Sequence, residues 1–228
     1  TANGSIKAHK ETRQDVAIEV ELYGENAERL DFATVHTNRM GDGSLRVWVE
    51  WPGGKRQDNE GAKLEIYTPD AYGVTAKTSN GAVHISGLEG EARVETTNGS
   101  VHVENHQGPM GLHSTNGAIR VEQSDGDVNF QTSNGRIIIS AATGLVEADT
   151  SNVSVYVSTH KDAWGPVRIR TTYGRVELDL GHGFEGVLRV STSNGRIKTE
   201  NLSNASLVQS SNNALELQIG DSDEISAV

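Results

Sequence analysis

Thr96-Thr97-Asn98-Gly99-Ser100-Val101-His102-Val103-Glu104 is followed, 18 residues on, by Ser114-Thr115-Asn116-Gly117-Ala118-Ile119-Arg120-Val121-Glu122, and this pair decides the fold. Outward from it, the motif stands at Thr78-Ser79-Asn80-Gly81 on one side. On the other it stands at Thr132-Ser133-Asn134-Gly135 and Thr150-Ser151-Asn152-Val153. Thr171-Thr172-Tyr173-Gly174 and Thr192-Ser193-Asn194-Gly195 follow at steps of 21, and Ser210-Ser211-Asn212-Asn213 after a further 18. Thr1-Ala2-Asn3-Gly4 opens the sequence alone. A fixed period near 20 residues marks a solenoid, in which each repeat is one unit stacked on the next.

Around each Asn the apolar residues alternate with the period of a strand that has one buried face. Three and five residues after it stand Val83/Ile85, Val101/Val103, Ile119/Val121, Ile137/Ile139, Val155/Val157 and Val176/Leu178. Six and four before it stand Val74/Ala76, Ala92/Val94, Met110/Leu112, Val128/Phe130, Val146/Ala148, Val167/Ile169 and Leu188/Val190. The same offsets around Asn212 give Ser206/Val208 and Leu215/Leu217, so the last coil is expected to resemble the others. A second bend falls eight residues before the Asn, at Gly90, Gly108, Gly126, Gly144, Gly165 and Gly186, with Asn204 in the final repeat. Gly and Asn are the residues that tolerate positive φ.

Asn-Gly between alternating segments is also a hairpin signal. Antiparallel hairpins have no need of one side chain at one place every 18 residues, whereas parallel in-register coils stack like on like about 4.8 Å apart. The pattern therefore predicts an all-β, single-domain parallel β-solenoid of about nine 18–21-residue coils, right-handed by the general preference of parallel crossovers. Asn80, Asn98, Asn116, Asn134, Asn152, Asn194 and Asn212 are expected to form an amide ladder. An inward Thr/Ser column two residues before the Asn is expected to form a hydroxyl ladder.

Residues 1–73 depart from the period. Ile6 and Ala8 fit one coil, and Val16 to Leu22, Leu30 to Val35, Leu45 to Trp51 and Leu64 to Tyr67 read as strands. The polar stretch from Gly53 to Gly61 reads as an exposed hairpin excursion. Open solenoid ends invite aggregation, so this segment is expected to extend and cap the regular coils at 74–219. The acidic tail 220–228 reads as a weak cap or a point where the chain continues.

A net charge of −11 argues against sequence-independent nucleic-acid binding and against docking on anionic membrane. No apolar stretch approaches the ~18 residues of a membrane-spanning helix. The absence of Cys removes disulfides and thiolate chemistry from consideration.

Candidate sites lie outward, because inward positions belong to the core. The two 21-residue coils carry extra residues at one corner, so Thr159 to Pro166 and Gly181 to Gly186 should lie side by side. Trp164 and Phe184 would form a stacking platform there, with His160, Asp162, His182 and Glu185 as polar contacts. The alternative is that the aromatics fold back over the corner. Trp48, Trp51, Tyr67 and Tyr72 form a second aromatic group. His84 and His102 stand in one outward column and would suit a divalent metal, but only Glu104 or His106 offers a third ligand, so the column reads as solvated surface with no metal. Glu104 and Glu122, also in one column, are too close for an inverting glycosidase and read the same way. No G-x-S-x-G, H-E-x-x-H or phosphate-loop motif occurs. No catalytic residue and no cofactor is expected.

The opening Asn3-Gly4-Ser5-Ile6, the segment Leu64-Glu65-Ile66-Tyr67-Thr68-Pro69 and the serial Thr/Ser-x-Asn-Gly coils resemble the DUF4097-type bacterial proteins, associated with adhesins and auto-transporter head domains. The resemblance implies a β-helical domain at or outside the cell envelope and carries no catalytic residues. The expected function is a scaffold or adhesin-like module contacting protein or glycan, as a monomer or with weak self-association. End-to-end assembly and a carbohydrate-active enzyme are the alternatives.

Overall fold

The computed structural model describes residues 3–161, 163–200, 205–211 (the backbone course only) and 213–220. The amino-terminal quarter comprises β1 (Ile6–Lys10), β2 (Ala17–Tyr23), α1 (Ala27–Asp31), β3 (Thr34–Arg39), β4 (Leu45–Glu50) and β5 (Gly61–Thr68). Seven two-strand coils follow. The first four are β6 (Tyr72–Lys77) with β7 (Val83–Ser86), β8 (Glu89–Thr96) with β9 (Val101–Gln107), β10 (Met110–Ser114) with β11 (Ile119–Asp125), and β12 (Val128–Thr132) with β13 (Ile137–Ala142). The rest are β14 (Val146–Thr150) with β15 (Val155–Thr159), β16 (Val167–Thr171) with β17 (Arg175–Asp179), and β18 (Gly186–Thr192) with β19 (Arg196–Glu200). A hairpin of β20 (Ala205–Ser211) and β21 (Ala214–Ile219) comes last.

Even-numbered strands from β6 to β18 pair parallel as one face of a flattened solenoid, and odd-numbered strands from β7 to β19 as the other. The register is the one the repeat predicts, with Met110 opposite Val128, Leu112 opposite Phe130, and Val101 opposite Ile119. Alternate side chains from both faces meet inside, where Ile119, Phe130, Ile137 and Ile139 are fully buried. Burial of a Leu-sized or Phe-sized side chain contributes about 1.5–3 kcal/mol, so each coil brings its own share of core.

The glycine after each Asn is required by close approach. A Cβ on Gly99, Gly117 or Gly135 would lie 1.8, 1.7 or 1.8 Å from the carbonyl oxygen of the glycine one coil before. Only hydrogen fits. Where Val153 replaces this glycine, the rung opens: Ile137 N–H to Ser154 O is 3.4 Å, against 2.8–2.9 Å for the matching bonds of Val83, Val101 and Ile119. The inward hydroxyls do not form the expected ladder with one another. Ser114 Oγ instead donates to Gly99 O (3.0 Å) and accepts from Gly117 N–H (2.9 Å), clipping its own turn to the coil before, and Thr96 and Thr132 do the same. Thr150, whose turn carries Val153, has a buried hydroxyl without a partner.

A third corner has a glycine only in its first coil, Gly87 (φ 69°). Asn105, Gln123 and Ala141, again 18 residues apart, adopt φ of 52, 55 and 59°. This left-handed step turns the following residue inward, so His106, Ser124 and Ala142 are buried.

The ends differ from the sequence reading in three ways. First, β1 is not the outermost rung: it lies between β5 and β7, parallel to both, and β2 covers β5 antiparallel. The expected extension and capping therefore hold, while Leu30 and Asp31 close a short helix capped by Asn26 instead of starting a strand. Second, the hairpin is β3–β4, and residues 53–60 are a loop, exposed as expected except at Arg56 and Glu60 but without strand pairing of β4 to β5. There Glu60 is buried, takes Arg29 on both carboxylate oxygens (2.5 and 3.1 Å), and accepts Gln57 N–H at 2.7 Å. The Arg29 guanidinium holds the Glu60 carboxyl below its ordinary range. Third, β21 turns back antiparallel on β18, with Leu188 opposite Leu217, and β20 pairs outside it, so seven coils form and the last repeat does not make another. At the reversal Asn213 stands at the glycine position of the repeat, and its carbonyl oxygen accepts Thr192 N–H (2.8 Å).

Candidate functional site

The amide ladder forms as expected over its first part. Asn98, Asn116, Asn134 and Asn152 each donate Nδ2–H to the Asn one coil before at 2.6, 2.8, 2.8 and 2.8 Å, and Asn80 donates to Asn3. Asn3 in turn donates to Asp58 O and Glu60 O (3.1 and 3.3 Å), so the loop at residues 53–60 satisfies the end of the chain of amides. Tyr173 carries no amide and separates Asn194 from Asn152. Asn212 lies outside the described residues. The ladder is structural.

The two long coils do lie together. Gly181 N–H donates to Thr159 Oγ1 (3.0 Å), and Trp164 bridges Glu185 in parallel pairing. The expected aromatic platform is divided between the two readings. Phe184 is 5% exposed and packs under the corner with Ala163, whereas Trp164 is 68% exposed, with Glu185 and His182 also exposed and His160 half-buried. Asp162 lies outside the described residues. Of the second aromatic group, Trp48 stacks on His36 (5.0 Å) and carries Arg46 over its ring, while Tyr72 is 87% exposed and apart from it.

The odd-numbered face carries the densest chemistry. Tyr67, His9, His84 and His102 follow one another with ring centroids 5.8, 5.4 and 4.7 Å apart, Tyr67 stacked on His9, His9 edge-on to His84, and His84 stacked on His102. Strand register places Ser86, Glu104 and Glu122 in the next outward column. His84 Nε2 meets Glu104 Oε1 at 3.2 Å, and His102 Nε2 meets Glu122 Oε2 at 2.9 Å. Arg120 donates to Glu122 Oε1 at 2.6 Å. That guanidinium first, and then His102, lowers the Glu122 carboxyl to about 2. The Ser86 hydroxyl is the main cause that holds Glu104 down, against burial. Burial, and next the neighbouring His84, lower His9. His106, one of the two third ligands offered by the sequence, is removed by the left-handed step at Asn105: it is 1% exposed, with Nε2 on Gly90 O (2.9 Å). Glu122 takes its place. Equal 18-residue spacing carried that signal, since Glu122 stands one coil above Glu104.

The chain matches the Toastrack family, DUF4097, over residues 5–227, and it belongs to that family. Comparisons with curated proteins and with solved structures found no match. Family and fold together fit a structural or interaction module.

Proposed function

We propose that the protein is a non-catalytic, adhesin-like interaction module of the bacterial cell envelope, working outside the cytoplasm and contacting a protein or glycan through its side faces and corner loops. The observation that carries this reading is Trp164. The residue is 68% exposed although its backbone is pinned by a bond to Thr143 O (3.0 Å) and by the bridge to Glu185. A large aromatic held rigidly in water is a low-entropy anchor for a sugar face or an apolar side chain. The net charge of −11 favours neutral or cationic partners over nucleic acid.

A glycan array probed with the wild type and with Trp164→Ala tests the reading. A bound glycan class lost in the variant at unchanged melting temperature is the expected result. A melting temperature that drops while binding persists would leave Trp164 a packing residue. Product release from a panel of acidic polysaccharides would replace this reading with an enzymatic one. Antiparallel strands, β2 at one end and β20–β21 at the other, disfavour in-register stacking of copies and support a monomer, which light scattering at high concentration checks.

A further inference from the structure

We propose that the odd-numbered face binds one divalent transition-metal ion of the zinc class, held by His102, Glu104 and Glu122, with His84 completing the set. The inference goes beyond the interaction reading and does not depend on it.

The donor chemistry is an imidazole with two carboxylates, a combination suited to zinc at nitrogen and oxygen distances of about 2.0–2.2 Å. One ligand atom from each of His102, Glu104 and Glu122 lies within 4.8 Å of the others. Donors around a tetrahedral ion stand about 3.4 Å apart by those bond lengths. Side-chain rotation of roughly an ångström closes the difference, and the strands themselves need not move. Strand register fixes the geometry: β7, β9 and β11 are consecutive rungs, and His84, His102 and Glu104, Glu122 are direct neighbours in their columns.

Three features distinguish this cluster from a solvated charge pattern. Both imidazoles turn Nε2 toward a carboxylate on the next coil, each donating N–H to it, so an ion entering between ring and carboxylate replaces that proton and takes up the freed nitrogen lone pair. Each carboxylate has a further partner that orients it: Ser86 for Glu104, and Arg120 on the remote oxygen of Glu122, which leaves Oε2 facing His102. Such outer partners are what tune metal ligands. Finally, the four side chains are 32–35% exposed, shielded enough to be ordered and open enough for an ion to enter.

Calorimetric titration of zinc chloride into the chelator-treated protein, with parallel thermal melts, tests the proposal. One ion per chain and a raised melting temperature are expected. His102→Ala and Glu104→Gln should each weaken binding at least about tenfold, the lower range for loss of an outer-shell partner alone. Glu122→Gln, the mildest change, serves as a further variant. His113→Ala, exposed on the opposite face, should bind as the wild type does. Absence of heat and of any melting shift in the wild type would overturn the proposal. So would zinc binding that survives His102→Ala and Glu104→Gln unchanged, or that falls in His113→Ala.

Discussion

A single methyl group added at Gly117 would fall 1.7 Å from the carbonyl oxygen of Gly99, which no rotamer change relieves because both atoms belong to backbone. Gly111, six residues earlier and outward on β10, has nothing within 4 Å of the same added atom. The two alanine substitutions should therefore differ in sign. Gly117→Ala is expected to destabilise by about 4 kcal/mol or more, in the range reserved for forced core rearrangement. Gly111→Ala is expected to stabilise by about 0.4–1 kcal/mol through the unfolded chain. Denaturant titration of both variants measures the contrast, and equal effects would remove close approach as the reason for the glycine column. His106 supplies a second test at this scale. Burial lowers its pKa, so below about pH 6.5, the ordinary histidine value, the unfolded chain takes up a proton that the fold refuses. Stability from this group is full above that pH and declines as pH falls beneath it. Thermal melts at pH 7.5 and 5.0 should show a smaller acid loss in His106→Leu than in the wild type. An identical loss in both proteins would assign the effect elsewhere, with His9 the next candidate.

Among the elements, those whose residues recur were legible before the structure was seen, and those that break the recurrence were not. Val101 and Ile119 announce their pairing because a strand face has a period of two and the coil has a period of 18, and both are visible in letters. The corner at Gly87, Asn105, Gln123 and Ala141 carries no common letter: Gly87 and Asn105 suit the left-handed backbone, whereas on Gln123 and Ala141 the stack imposes it. The loop at residues 53–60 reads as a hairpin excursion because the contact that anchors it, Arg29 with Glu60, joins residues 31 apart with no repeating neighbour. β21 has the apolar spacing of a regular strand, and apolar periodicity is the same for a strand that runs parallel or antiparallel to its neighbour, so its reversal was not legible. The candidate metal face was half legible. Equal spacing placed His84 beside His102, but only the backbone step at Asn105 shows that His106 points inward and leaves Glu122 as the third ligand. Phe184 and Trp164 look alike in the sequence and separate only on packing.

The molecule as a whole behaves as a sum of nearly equivalent layers, each touching its neighbours above and below. Removal of residues 118–135 joins Gly117 to Arg136, keeps Ile137 three places after an Asn, and sets Asn116 beneath Asn152. The shortened protein is expected to retain its β circular dichroism and a single cooperative melt at a modestly lower temperature. Loss of either would show that the coils are not interchangeable. The layers nevertheless are not laid down in the order of the chain. β1 takes its hydrogen bonds from β5 on one side and from β7 on the other. A ribosome releasing this sequence emits β1 long before residues 83–86, so the strand made first is seated late, slotted into a gap that its successors create, and the growing chain must shelter an unmatched segment until then.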